Sequence, residues 1–151
     1  MARGILTLGR EIIAEPPDVW KVLANVDRYP RVLTSVEKVE RVSGTGFELG
    51  TSWRETRRFE GRSSAHLMTI TAVEEGRSAA ISVEAAEGGV ALAYRVRPTS
   101  LGTRLEMDVT GDPGAASGVS KLILGSGGGL FRVAKEMFEQ DLKDFGAALR
   151  T

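Results

Sequence analysis

Between residues 36 and 112 the chain is broken by turn residues at intervals of about 10–15. They fall at Ser43-Gly44-Thr45-Gly46, Gly61, Glu75-Gly76, Gly88-Gly89, Pro98 to Gly102, and Gly111-Asp112-Pro113-Gly114. That cadence fits short strands joined by tight turns and leaves no room for the helical crossovers of a parallel sheet. Six strands are predicted, at about 36–43, 50–60, 63–74, 78–86, 90–97 and 103–110. The last alternates most cleanly, with Leu105, Met107 and Val109 on one face and Arg104, Glu106 and Asp108 on the other. Residues 78–86 (Ile81, Val83) and 90–97 (Leu92, Tyr94, Val96) follow the same rule. One dry and one wet face describe an antiparallel sheet covered on one side. The segment 63–74 is ambiguous, because Met68 and Ile70 lie on one face and Leu67 and Val73 on the other.

Helices flank this block. Ile5 to Ala14 reads as a first strand, stopped by Glu15-Pro16-Pro17. Pro17 and Asp18 suit a first helical turn, and Val19, Val22, Leu23 and Val26 keep helical spacing. Asp27-Arg28-Tyr29-Pro30 breaks that helix, and a second short turn is expected over Arg31 to Thr34. At the far end, Leu130, Ala134, Met137, Phe138, Leu142, Phe145 and Leu149 form an apolar stripe. Arg132, Lys135, Glu136, Glu139, Lys143 and Asp144 hold the other side. About 21 residues give a rod of roughly 30 Å. The expected fold is α+β: a seven-stranded antiparallel curved sheet gripping a long C-terminal helix, with two short helices after the first strand. At 151 residues, one domain over 1–151 is expected.

A helix about 10–12 Å across cannot cover seven strands spaced about 4.8 Å apart. A hollow between helix and sheet is the expected remainder. Ala79, Ala80, Ala85, Ala86, Ala91 and Ala93 crowd two adjacent strands. They are either outward fillers or inward small residues that leave ligand room.

Composition narrows the chemistry. With no Cys, thiol catalysis, thiolate zinc sites and iron–sulfur clusters are excluded, and one His rules out a His-rich metal centre. Twenty basic and twenty acidic residues give no basic excess for nucleic acid. No apolar run reaches membrane-span length. The N-terminal Met1 to Ile5 lacks a sustained apolar core before Arg10 and Glu11, so no signal peptide is read and a cytoplasmic location is expected. No cofactor or metal is implied, and monomer and homodimer stay open.

Ala14-Glu15-Pro16-Pro17-Asp18-Val19-Trp20-Lys21-Val22-Leu23, then Val26-Asp27-Arg28-Tyr29-Pro30, then Gly50-Thr51-Ser52-Trp53 and the Gly-rich run before the last helix carry a resemblance. Over nearly its whole length the chain resembles the START-like (SRPBCC) helix-grip superfamily, in the branch of polyketide cyclases/dehydrases and lipid-transport proteins. Tyr29-Pro30 also resembles the coenzyme-Q-binding branch. The resemblance implies a cavity between sheet and helix. It implies that Trp53 and Arg57 line it, and that Tyr29 and Leu33 stand near its mouth. Val36 departs from the cyclase pattern, in which relatives often carry Tyr.

Trp53, Glu55, Arg57 and Phe59 share one strand face at spacing two. Arg57 could hold a ketone, enolate or carboxylate oxygen, with Glu55 as ion-pair partner or proton acceptor; a partly exposed salt bridge without chemistry is the alternative. The expected ligand contacts are Tyr29, Leu33, Trp53, Arg57, Tyr94, Met107, Leu130, Ala134 and Phe138, with Arg57 and Glu55 as catalytic candidates. Three functions remain open. The chain binds a small hydrophobic or aromatic ligand, or it is a cyclase/aromatase acting on a poly-β-keto chain, or it is a quinone-binding or protein-interaction module.

Two weaker motifs complete the reading. A triad of Ser63 or Ser64, His66 and Asp108 lacks the G-x-S-x-G elbow around either serine. Gly125-Ser126-Gly127-Gly128-Gly129 fits neither phosphate-loop nor dinucleotide pattern, since Leu130 stands where the third Gly belongs. It reads as a close-packed or flexible approach to the helix, with a lid as its second possible use.

Overall fold

The computed structural model describes residues 4–59, 61–85, 88–111 and 128–149, with backbone alone at 4–5, 85, 88–89 and 128–134. The described elements run β1 (Gly4–Ile12), α1 (Pro16–Ala24), a 3-10 turn (Val26–Arg28), α2 (Tyr29–Val32), β2 (Val36–Ser43), β3 (Ser52–Phe59), β4 (Arg62–Glu74), β5 (Ser78–Ala85), β6 (Gly88–Thr99), β7 (Gly102–Gly111) and α3 (Gly128–Ala147). Among the described residues the seven strands form one antiparallel sheet in the order β1-β7-β6-β5-β4-β3-β2. The chain builds the sheet by successive hairpins and lays β1 on the free edge of β7. α3 packs against β1 and α1.

The predicted elements are all present, with three adjustments. β1 stops at Ile12, not Ala14, because its partner ends there: Ile12 pairs with Thr103, and Gly102 turns the chain. The first helix ends at Ala24, ahead of the expected break, but the second short helix is Tyr29–Val32 and not Arg31 to Thr34: Tyr29 and Pro30 open it, and Pro sits in its first turn, where its missing N–H costs nothing. The ambiguous strand β4 carries a bulge. Ile70 pairs with Ile81 but Ala72 pairs with Ala80, so Thr71 is an extra residue. Past it the alternation changes phase, and Val73 returns to the inner face opposite Ala79.

The inner face holds Leu6, Leu8, Met68, Ile70, Ala79, Ile81, Val83, Val90, Leu92, Tyr94, Val96, Leu105, Met107 and Val109, closed from above by α1 and the second half of α3. One cross-strand row runs Leu8–Met107–Tyr94–Ala79–Val73. Of the alanines, only Ala79 is buried there, beside the bulky Tyr94; Ala80, Ala91 and Ala93 are on the outer face. Ala85 and Ala86 are outside the residues whose side chains are described. The outer face carries cross-strand ion pairs such as Arg95–Asp108 (2.8 Å) and Arg97–Glu106 (2.8 Å), each half-exposed and worth little singly.

Gly102 is required twice. Its φ is +141°, and an added Cβ would stand 2.6 Å from the Ile12 carbonyl oxygen. Gly102→Ala is expected to cost at least about 2 kcal/mol in urea unfolding. Gly76→Ala, with φ +80° and nothing within 4 Å of the added carbon, should lose only the dihedral share, about 1 kcal/mol. Equal losses would show that the contact with Ile12 adds nothing.

Candidate functional site

Alternation along β3 turns Trp53, Glu55 and Arg57 inward together. The structure makes of them a buried charged chain. Trp53 Nε1–H donates to Glu55 Oε1 at 3.1 Å, and Arg57 Nε–H donates to Glu55 Oε2 at 2.8 Å. Arg57 Nη1 then donates to Ser35 Oγ (2.9 Å) and to Asp141 Oδ1 (3.0 Å) on α3. Arg57 Nη2 is 2.8 Å from Asp141 Oδ2, but that oxygen receives no properly aligned hydrogen bond. Residual exposure is 1% for Glu55, 7% for Arg57 and 0% for Asp141. The pair is therefore not the partly exposed salt bridge that the sequence left open.

The cluster holds one cation against two carboxylates. Burial works against the Arg57 charge, but Asp141 and Glu55 overcome it and keep the guanidinium ionised well beyond its ordinary range. Burial pushes the Asp141 carboxyl up to about 6; Arg57 opposes this, while Glu55 and Asp144 add like charge. Asp141 thus gains and loses a proton close to neutrality. Burial likewise raises the phenols of Tyr29 and Tyr94, so both stay protonated.

An aromatic run borders the cluster. Tyr29 meets Trp53 edge-on at 6.5 Å and Phe145 at 5.7 Å; Phe145 meets Tyr94 at 6.3 Å. The Arg57 guanidinium lies 5.9 Å from the centre of the Phe138 ring. The Tyr29 hydroxyl donates to the Leu23 carbonyl at 2.5 Å, which fixes α2 to α1.

Tyr29, Trp53, Arg57, Tyr94 and Phe138 thus lie together on the inner side of the sheet. Leu33 and Met107 are on the same inner side, but Leu33 (1%), Trp53 (0%) and Met107 (0%) are packed on all sides. Arg57 (7%), Phe138 (6%), Tyr94 (4%), Leu8 (8%) and Val83 (6%) keep residual exposure. Leu130 and Ala134 are on the α3 backbone, but their side chains lie outside the described residues. So do residues 125–127, with the lid reading that rests on them.

Two acidic residues of α3 escaped the sequence reading. Asp144, assigned to the solvent side, is buried; its carboxylate accepts from Thr34 N–H (2.9 Å), Thr34 Oγ (3.0 Å) and Gln140 (2.8 Å). Asp141 was assigned to neither face. Its signal was its position: Phe138, Asp141, Leu142 and Phe145 follow i, i+3, i+4, i+7, so a carboxylate interrupts the apolar stripe. The triad containing Asp108 does not form, because Asp108 is on the outer face, bound to Arg95 at 2.8 Å. Ser64 and His66 do meet, at 2.9 Å. Among the described residues no group of three or more His, Asp or Glu side chains is placed to hold a metal ion, and no helix is long and apolar enough to cross a membrane.

A curved antiparallel sheet closed by a long C-terminal helix, with paired short helices after β1, defines a helix-grip protein of the START-like class. The chain belongs to the polyketide cyclase/dehydrase and lipid transport family, whose sequence model matches residues 4–151. It is similar in fold to a START superfamily protein from Mycobacterium smegmatis (TM-score 0.78, 13% identity, 96% of each chain covered). It is similarly close to the Zhui aromatase/cyclase from Streptomyces sp. R1128 (TM-score 0.77, 18% identity, covering 97% of this chain and 93% of that one). A major latex-like protein from Panax ginseng aligns at TM-score 0.77 and 10% identity, with 99% of each chain covered. No curated protein sequence matches it significantly.

Proposed function

We propose that this protein binds a small apolar or aromatic molecule between its sheet and α3, with the Glu55–Arg57–Asp141 cluster as the polar anchor. The observation that carries this is the cluster itself. A buried arginine with two carboxylates is costly to keep in an otherwise apolar layer, and hydrophobic replacements at such sites are commonly neutral or stabilising. Its location beside Tyr94 and Phe138, which retain exposure, suits a site of apolar wall and few polar groups. Two or three buried ring-sized contacts at about 1.5–3 kcal/mol each contribute about 3–9 kcal/mol before ordering costs, enough for weak but specific binding of a small aromatic probe. Titration with 2-naphthol, followed by tryptophan emission, should show saturable binding with Kd on the order of 0.1–1 mM. Native mass spectrometry of freshly purified protein should show a copurifying small molecule. A linear, non-saturable titration together with a bare mass would sink the reading.

A second reading, ring closure on a poly-β-keto chain, is favoured by one feature: Asp141 changes protonation near pH 6 while touching Arg57. In such a reaction a base removes a proton from a methylene between two carbonyls. The resulting carbanion adds to a carbonyl carbon, and the alkoxide takes up a proton. Arg57 would stabilise the enolate oxygen. Asp141 suits the proton transfer better than Glu55, whose two oxygens are already engaged by Trp53 and Arg57. Asp141→Asn discriminates. A carrier should still bind 2-naphthol saturably, because Arg57 and Glu55 of the anchor remain, with a loss of no more than about tenfold, whereas a cyclase should lose at least about 100-fold in turnover of a poly-β-keto thioester.

A further inference from the structure

The single histidine is not on the outside of the sheet. The β3–β4 register is unbroken, and directly opposed residues share a face: Trp53 with Met68, Glu55 with His66, Arg57 with Ser64. Since Trp53, Glu55 and Arg57 point inward, so do His66 and Ser64. Along β4 the inner face opens step by step: Ile70 and Met68 are buried, His66 is half-buried and Ser64 is exposed. His66 therefore stands between solvent and the charged cluster. One ring nitrogen is engaged, with Nε2 2.9 Å from Ser64 Oγ. The other, Nδ1, is buried and has no hydrogen-bond partner among the described residues. Glu55 is across the strand pair, but both its oxygens are taken by Trp53 and Arg57. Burial lowers the imidazole's affinity for a proton, with Glu55 opposing and Arg57 reinforcing this, so the ring favours its neutral form.

A buried polar atom without a partner is costly unless something satisfies it. We infer that His66 reads the ligand: its Nδ1 takes the oxygen substituent of an oxygenated aromatic molecule bound in the interior. Ser64 fixes the ring by holding Nε2. This rests on the interior-binding reading above and adds a ligand class to it. Hydroxylated or keto-substituted rings are selected over bare hydrocarbons, because only they satisfy Nδ1.

The test compares 2-naphthol with naphthalene, two probes of one shape that differ by a single oxygen. Wild-type protein should bind 2-naphthol more tightly, and His66→Phe should weaken 2-naphthol by about three- to tenfold while leaving naphthalene unchanged. A second measurement needs no variant. Because the chain has one His, its two imidazole ¹⁵N resonances are assignable without ambiguity, and 2-naphthol should shift Nδ1 while leaving Nε2 near its free value. If both probes bind but neither His66→Phe nor the Nδ1 resonance responds, the His66 inference fails and interior binding stands. If neither probe binds the wild-type protein, both fall.

Discussion

Replacing Arg57 by Met should destabilise the protein by about 3–5 kcal/mol at pH 8, the expected effect of removing one partner from a buried ion cluster. The methionine fills much of the same volume, so the loss is electrostatic rather than a cavity effect. Glu55 and Asp141 would be left as two carboxylates without a cation, each at 1% exposure or less. Neutralising Asp141, whose carboxyl burial already raises, is the nearest relief. The deficit should therefore shrink as the pH is lowered from 8 to 5 and that carboxyl takes up a proton. Urea unfolding at the two pH values measures this. A loss that is small, or equal at pH 5 and pH 8, would mean the guanidinium is not what keeps those carboxylates in the core.

The second large effect belongs to Asp141 in the unmodified protein. Its carboxyl is raised by burial from 3.8 to about 6 on folding. A raised acid favours the folded state in its protonated form. The contribution is thus fully present below about pH 4 and is lost as pH climbs through about 6. Converted at 1.36 kcal/mol per unit, the swing is about 3 kcal/mol. Wild-type stability should accordingly fall between pH 4 and pH 7, apart from the opposite trend of salt-bridged surface carboxylates such as Asp108, lowered by its hydrogen bond from Arg95. Asp141→Asn imitates the protonated form. It should remove the decline and leave the variant at least as stable as wild type at pH 8, although it deletes half of an ion pair. A variant that is weaker at pH 8 and keeps the wild-type slope would contradict this account.

The two predictions oppose each other in a useful way. Removing the one cation harms the cluster, whereas neutralising one of two anions relieves it. Only a cluster with excess negative charge behaves so.

The same cluster shows where the sequence could be read and where it could not. Spacing-two along β3 puts Trp53, Glu55 and Arg57 on one face, because side chains alternate strictly on an extended strand. The turn cadence shows where strands begin and end, because glycines and prolines act locally. The stripe of Phe138, Leu142 and Phe145 announces a packed helix for the same reason. Each inference uses residues within a few positions of one another.

The failures are non-local. The bulge at Thr71, which carries Val73 to the inner face, depends on how β4 pairs with β5. Asp144 reads as solvated because it is charged and follows the exposed Lys143; its true partners are Thr34 and Gln140. The meeting of Arg57 and Asp141 spans 84 positions. The direction of His66 depends on which residue of β3 it opposes.

By itself, then, the sequence determined the elements, their order, the wet and dry faces, and the family resemblance, since those follow from local periodicity and backbone chemistry. Only the tertiary structure decided that two carboxylates share one guanidinium and that a lone imidazole keeps one nitrogen buried with no partner among the described residues. Such facts depend on which side chains are brought together and how completely water is kept from them, and neither is encoded in any short stretch of chain.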